Sequence, residues 1–298
     1  MAVLHRLRRG AGARAVPGPA AAVRRRAVLR VVALIGAGAL VAACGAGPAP
    51  PRLGAHASTP SPSPSPSPSP SVPALVAAHL IRTDAALRAA VIAWVHRGDP
   101  SRGAPPADVA RLAADQRAIY VRMADRRRLG DATLALLSGR PKAEARAAVQ
   151  ARRMLVALTP HGGHIHLGPP EPAGRLLRYY REAQRRSHVA WQLLAAVNLV
   201  ESAFGRLRND SVAGAQGPMQ FMPATWRAYG RGDVHDPRDA ILAAGRLLHA
   251  AGAPQRERAA LYRYNPSRLY VGAVERYAER MRSDRLNFYA YYAWPAPR

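Results

Sequence analysis

A glutamate at the end of an apolar segment is the residue of this chain that is best placed for acid–base chemistry. Residues 191–204 read WQLLAAVNLVESAF, and the apolar side chains recur at helical spacing. Gly205 predicts the end of this helix, which places Glu201 in the last turn beside the apolar stripe. Burial and the negative end of the helix dipole both disfavour a carboxylate there, so we expect Glu201 to keep its proton at a higher pH than an exposed glutamate does. That property suits a general acid working near neutral pH.

Three further motifs follow Glu201 in order. They read GAQGPMQFMP over residues 214–223, DPRD over residues 236–239, and YN at Tyr264-Asn265. Together with ESAFG at residues 201–205, they resemble the lytic transglycosylases of the lysozyme-like superfamily, which cleave the glycan strands of peptidoglycan. The second motif leans toward the membrane-bound murein transglycosylases and their actinobacterial relatives. The resemblance covers about a third of the chain.

The resemblance implies both a fold and a reaction. We expect a mainly α protein whose lysozyme-like catalytic domain has room for a small β-hairpin. In this family a single glutamate, here Glu201, protonates the β-1,4 bond between N-acetylmuramic acid and N-acetylglucosamine and then deprotonates the muramyl C6 hydroxyl. The product carries a 1,6-anhydro end, and no cofactor is implied. Because the nucleophiles belong to the sugar, one carboxylate is enough, whereas ordinary glycosidases need two.

The resemblance also implies residues that assist Glu201. Tyr264 matches the tyrosine that orients the catalytic acid, and Asn265 lies beside it in the motif. Gln220 is expected to contact the substrate or Glu201. This chain continues with Pro-Ser at residues 266–267, where many relatives have Ala-Gly, so the loop geometry departs from the family pattern.

Several neighbouring residues have two readings. Ser202 either binds the acetamido group of the substrate or completes the helix. Met219 and Phe221 either line the cleft or belong to the core. Between them and the helix, Gly214 and Gly217 predict a tight loop that brings backbone close to the sugar.

A second catalytic carboxylate would change the reaction to hydrolysis. Asp210 is the nearest downstream candidate, although a position beside Asn209 is also typical of a turn. Asp236, followed by a proline and then by Asp239, predicts a helix N-cap with an acidic residue in the first turn. A muramidase of the same fold therefore stays the alternative enzyme, and a noncatalytic peptidoglycan-binding or divisome scaffold is the alternative from another class.

The N-terminal segment predicts export. Residues 1–43 contain eight arginines and no acidic residue, and they end in an uninterrupted apolar stretch, residues 31–43. This stretch is too short to span a membrane stably, and it ends at Cys44 in a sequence that resembles a bacterial lipobox. We expect residues 1–43 to be a signal peptide and Cys44 to carry a lipid; an ordinary signal peptide with an incidental cysteine and an uncleaved anchor are the alternatives.

The remaining chain divides by composition. Residues 44–73 contain strictly alternating Pro and Ser, which predicts an extended tether behind the lipid. Residues 74–159 are rich in Ala, Leu and Arg and predict a helical accessory domain, broken at 98–100, 105–106 and 139–141. Residues 160–170 predict a linker, and 171–298 the lysozyme-like domain.

Composition limits the other possible sites and partners. Three histidines in the linker, His161, His164 and His166, lack the helical spacing and the nearby carboxylates or cysteines of a metal site, so we expect no metal. The net charge is +26, with 44 basic and 18 acidic residues. Because the chain has an export signal and no nucleic-acid motif, we expect its charge to face anionic envelope polymers rather than nucleic acid.

The C-terminal segment is dense in aromatic residues although only 6% of the chain is aromatic. Such rings can stack on sugars, but packing is their commoner use. We therefore expect the C-terminal segment to dock onto the fold. Its aromatic residues are Phe288, Tyr289, Tyr291, Tyr292 and Trp294.

Overall fold

The computed structural model describes residues 70–158 and 165–296. The predicted signal peptide, the lipidation site Cys44 and nearly all of the tether lie outside these residues, as do His161 and His164. Within the described ranges, no helix combines the length and the apolar character needed to cross a membrane.

Helices account for nearly all the regular structure, which confirms the prediction of a mainly α protein. The described residues contain no sheet, only two isolated antiparallel bridges, Leu167 with Leu207 and Gln216 with Phe221. The eleven helices of the described residues are α1 (Val72–Arg97), α2 (Ala107–Asp125), α3 (Arg127–Leu136), α4 (Gly139–Val156), α5 (Ala173–Ser187), α6 (Trp191–Ser202), α7 (Pro223–Tyr229), α8 (Pro237–Ala250), α9 (Glu257–Tyr264), α10 (Arg268–Ser283) and α11 (Leu286–Tyr292).

Glycine and proline set several helix boundaries. Helix α1 ends at Gly98, and α2 begins directly after Pro106, as the sequence predicts. Pro106 occupies the N-cap position of α2, and Asp108 lies in its first turn. The break predicted at 139–141 lies slightly earlier, because α4 begins at Gly139 and Pro141 lies in its first turn. A proline in the first turn has no N–H that the helix needs, so it is tolerated there.

One buried apolar cluster extends through the predicted accessory and catalytic regions. It includes Leu80 of α1, Val149 of α4, Val197 of α6 and Val274 of α10. Helix α4 packs along α10, while α11 packs against α1, α2 and α6. The boundaries of the two predicted domains stay a prediction, but residues from both contribute to this common cluster.

The C-terminal aromatic residues are buried, which confirms that this segment docks onto the fold. The ring of Phe288 lies 5.9 Å from that of Trp191 and 5.7 Å from that of Phe204, both in edge-to-face geometry. Tyr289 makes a similar contact with Trp94 of α1, at 5.6 Å. Edge-to-face pairs add to the stability that burial already gives, so α11 joins α1 to both ends of α6.

A buried glutamate connects α4 to the C-terminal helices. Glu144 accepts hydrogen bonds from Arg280 Nε, Asn287 Nδ2 and the Tyr291 hydroxyl, each at 2.9 Å. Burial raises the pKa of Glu144 above its ordinary value, and these donors oppose the rise. Because three donors converge on one carboxylate, the position of α4 on α10 and α11 depends on it.

We predict that Glu144→Ala lowers the free energy of unfolding by about 3 kcal/mol, because the substitution leaves Arg280 and two further donors without their buried acceptor. Urea denaturation followed by circular dichroism measures this loss. Glu279→Ala removes an exposed carboxylate of α10 and should change stability by less than about 0.5 kcal/mol. Equal stabilities of the two variants would contradict the role given to Glu144.

Candidate active site

Helix α6 ends in a left-handed turn. Ala203, Phe204 and Gly205 have φ angles of 51°, 64° and 82°. The helix itself ends at Ser202, so Gly205 is the last residue of this turn rather than the residue that first stops the helix. The N–H groups of Ala203 and Phe204 donate back to carbonyls in the last turns of α6, at 3.0 and 3.2 Å. The chain therefore reverses directly after Glu201 with these two N–H groups bonded.

Glu201 lies in the last turn of α6, as predicted, and only 7% of its surface is exposed. The hydroxyl of Tyr270 donates a hydrogen bond to Glu201 Oε1 at 2.7 Å. Tyr270 is in the first turn of α10, where the side chain of Ser267 caps the helix by accepting the Tyr270 N–H. This capped turn fixes the tyrosine that holds the candidate acid.

The sequence interpretation missed Tyr270. It lies 69 residues from Glu201 and belongs to none of the motifs. The available signal is Ser267, an N-cap residue three positions earlier, which predicts that Tyr270 lies in a first helical turn. That signal does not say which side chain the tyrosine faces.

Ser202 joins the end of α6 to the loop that follows. Its hydroxyl donates to the carbonyl oxygen of Pro218 at 2.5 Å and accepts from the Gly205 N–H at 2.8 Å. Asn198 donates to the same Pro218 oxygen at 2.7 Å and to Ser202 Oγ at 3.1 Å. The Ser202 side chain is fully buried. These contacts favour the structural reading of Ser202 over direct substrate binding.

The loop after α6 closes as a small hairpin. Gln216 and Phe221 exchange two backbone hydrogen bonds of 2.8 Å, and the Gln220 N–H donates to the Gly217 carbonyl at 3.0 Å. Gly217 has a φ of 70°, and a Cβ at this position would lie 2.0 Å from the Val234 carbonyl oxygen. Only glycine fits this turn, as the sequence analysis anticipates for a tight loop.

Gln220 is held against the backbone around it. Its side-chain amide donates to the carbonyls of Gly217 at 3.0 Å and Asn209 at 3.4 Å. Its φ of 48° is uncommon for a residue other than glycine. Such a conformation persists only where the surrounding structure holds it, and the contact of Gln220 with the substrate or with Glu201 stays a prediction.

Met219, Phe221 and Tyr264 form one buried contact group. The Tyr264 hydroxyl donates to the Met219 carbonyl at 2.6 Å, and the ring of Phe221 lies 6.0 Å from that of Tyr264. Phe221 also packs edge-to-face on Trp226 at 5.4 Å. Met219 and Phe221 belong to the buried cluster, which favours the core reading for both. Asn265 follows directly as the buried C-cap residue of α9.

The other carboxylates have local partners. Asp210 is exposed and accepts a hydrogen bond of 3.3 Å from Gln216 Nε2. Asp236 caps α8 by accepting the Asp239 N–H at 2.8 Å, which confirms the predicted capping motif. Asp239 in turn accepts the Asp233 N–H at 3.1 Å. Within 70–158 and 165–296, no group of three or more His, Cys, Asp or Glu side chains is arranged to hold a metal.

Comparison with known families agrees with this geometry. Residues 178–286 match the family model of the transglycosylase SLT domain. The chain therefore contains an SLT domain of the lytic transglycosylases, in the lysozyme-like superfamily, and the substrate of this class is peptidoglycan. The match covers about a third of the chain and includes Glu201, Gln220, Tyr264 and Tyr270. Neither the curated proteins nor the solved structures gave a significant match.

We predict that Gly217→Ala lowers the free energy of unfolding by about 3 kcal/mol or more, because the new Cβ combines left-handed strain with overlap on the Val234 carbonyl. Gly214→Ala is the matched control. Gly214 also has a positive φ, of 82°, but a Cβ there meets no atom within 4 Å, so the expected cost is about 1–2 kcal/mol. Thermal unfolding measures both, and equal costs would show that the close approach at Gly217 is unimportant.

Proposed function

We propose that this protein is an exported lytic transglycosylase that cleaves the β-1,4 bond between N-acetylmuramic acid and N-acetylglucosamine and leaves 1,6-anhydro-N-acetylmuramic acid ends. The observation that supports this most is the buried carboxyl of Glu201 at the end of α6, bonded by Tyr270 within the SLT domain. A structural glutamate is poorly placed at the C-terminal end of a helix, since the dipole there disfavours its charge. A general acid benefits from the same position.

In this proposal Glu201 acts twice. It first donates its proton to the glycosidic oxygen while the C1–O bond breaks, and the muramyl 2-acetamido oxygen stabilises the anomeric carbon. The ionised Glu201 then takes the proton of the muramyl C6 hydroxyl as that oxygen bonds to C1. The carboxyl returns to its protonated form, and no water is consumed.

Tyr270 is the residue that we propose to position Glu201 during these steps. Its hydroxyl donates to Oε1, so it stabilises the carboxylate that exists between the two proton transfers. As the family resemblance implies, Tyr264 is proposed to help orient the catalytic acid, with Asn265 beside it. Gln220 is proposed to contact the substrate.

Hydrolysis by a muramidase needs a second carboxylate that activates water or attacks the sugar. Asp210 is the candidate, but its bond with Gln216 and its exposed position are those of a turn residue. These contacts favour the single-carboxylate reaction.

The location of the enzyme is part of the proposal. We propose that residues 1–43 direct export, that Cys44 carries a lipid that holds the protein at the cell membrane facing the cell wall, and that 44–73 let the folded part reach peptidoglycan. Residues 74–159 are proposed as a helical accessory domain. The basic surface suits contacts with anionic envelope polymers.

Glu201→Gln should abolish release of anhydro-muropeptides, because the amide can neither donate nor accept the transferred proton. Mass spectrometry of products from purified peptidoglycan, treated with the full chain in a non-ionic detergent, tests this. The unchanged protein should give products about 18 Da lighter than hydrolytic ones, since no water is added. Products at the hydrolytic mass would support a muramidase and direct attention to Asp210. If the unchanged protein binds the polymer without releasing products, the scaffold alternative gains support.

Tyr270→Phe should reduce the cleavage rate by about tenfold or more and shift the pH–rate profile to higher pH, because the ionised Glu201 loses a hydrogen-bond donor. The measurement is the initial rate of anhydro-product release between pH 4 and 9, roughly the range in which carboxyl groups titrate. Tyr262→Phe removes an exposed hydroxyl of α9 and serves as the control. A slower enzyme with an unchanged pH profile would assign Tyr270 a merely structural role.

A further inference from the structure

A cavity separate from the candidate active site lies on another side of α6. Its volume is about 60 Å³, and α2, α4, α6 and α10 contribute to its walls. Neither Glu201 nor Tyr270 lines it. Most of the wall is apolar and includes Val121, Leu155, Leu199, Val200, Phe204 and Trp294. The cavity is partly open to solvent, so it accommodates about two waters or the carboxylate end of a small organic molecule whose remainder extends along the wall toward the opening.

Three arginines also line this cavity, and they come from distant parts of the chain. Arg117 belongs to α2, Arg152 to α4 and Arg206 to the segment after α6. Arg206 donates to two main-chain carbonyls, at 3.0 and 2.7 Å, and Arg117 donates to the carbonyl of Pro295. Carbonyl oxygens accept hydrogen bonds but do not neutralise the charge. Among the described residues, no carboxylate forms an ion pair with Arg117 or Arg206.

Arg152 has a donor without an acceptor. Its Nε and Nη2 atoms each bond an oxygen of Asp125 at 3.1 Å. The residue is only 8% exposed. Its third nitrogen, Nη1, is buried and has no hydrogen-bond partner among the described residues. A buried donor of a charged group that lacks an acceptor is costly, so an acceptor that reaches it would stabilise the protein.

The charges of the three guanidinium groups act on one another. Burial lowers the pKa of Arg117 from its ordinary value, and the positive charges of Arg152 and Arg206 lower it further. Burial also lowers the pKa of Arg206. Arginine nevertheless stays protonated in proteins, so the cavity wall carries positive charge at every physiological pH. An anion placed here would relieve this repulsion.

We propose that this cavity binds a short aliphatic carboxylate, whose oxygens accept from Arg152 Nη1 and Arg117 and whose alkyl chain lies against the apolar wall. The planar fork of arginine matches a carboxylate, and a single negative charge is less costly to desolvate than a doubly charged phosphate. The apolar lining supplies favourable contacts for an alkyl chain and none for additional phosphate oxygens.

The site gives a bound carboxylate a direct contact with the helix that carries Glu201. Leu199, Val200 and Ala203 line the cavity, and they lie on both sides of Glu201 in the sequence. A carboxylate in the cavity therefore stabilises the folded protein by mass action and supports the end of α6 from this side.

Calorimetric titration of the full chain with butyrate, in a non-ionic detergent, tests the proposal. We expect saturable 1:1 binding below about 50 mM, since so small a ligand typically binds in the millimolar range. Butylammonium has the same chain and the opposite charge, and it should not bind. Butyrate should also raise the unfolding temperature.

Variants assign the binding to the cavity. Arg117→Gln should weaken butyrate binding about tenfold or more, because a charge-assisted bond is lost. Arg111→Gln is the matched control, since it removes the same charge from an exposed position of α2 and should leave the affinity unchanged. Arg152→Gln should have an effect like that of Arg117→Gln; if it unfolds by circular dichroism, Arg117→Gln decides alone.

Three results would overturn the proposal. The first is the absence of saturable butyrate binding to the unchanged protein. The second is equal affinity in Arg117→Gln and Arg111→Gln, which would place the binding elsewhere. The third is inorganic phosphate binding as tightly as butyrate in the same Arg117-dependent way, because the cavity would then select an oxyanion of any kind and not an aliphatic carboxylate.

Discussion

The arrangement of the site depends on how α6 ends. A glutamate in the last turn of a helix stays near the chain reversal only if the following backbone groups are bonded. Here the left-handed residues Ala203 and Phe204 return their N–H groups to the helix, and Ser202 accepts from Gly205. Ser202 also donates to Pro218, so the same polar group fixes the hairpin loop. Without the Ser202 hydroxyl, the Gly205 N–H would lose this acceptor, and Asn198 would be the side chain that still donates to the Pro218 carbonyl.

Helix α10 then links the site to the rest of the molecule. Its first turn places Tyr270 on Glu201, and further along the helix Arg280 bonds the buried Glu144 of α4. Between these two positions, Tyr277 lines the cavity that the three arginines share, and burial raises the pKa of Tyr277 to about 12. One helix therefore contacts the candidate acid, the cavity and α4.

Local sequence signals predicted much of this structure. The apolar period predicted α6 with Glu201 in its last turn, and the order Asp236, Pro237, Asp239 predicted the cap of α8. The glycines of the second motif predicted a tight turn, and Gly217 occupies one that no other residue fits. These features depend on neighbours within a few positions, so the sequence carries their physical cause directly.

Other features became visible only in the folded chain. The sequence left Ser202, Met219 and Phe221 between substrate binding and packing, and their buried contacts favour packing. It gave no sign that Tyr270 faces Glu201, or that arginines from three distant segments share a cavity. By itself, then, the sequence determined α6 with the candidate acid in its last turn, the cap of α8 and the tight turn at Gly217, because these follow from local periodicity, capping and backbone freedom. The tertiary structure alone decided which polar groups meet across long separations, because that depends on how the helices pack.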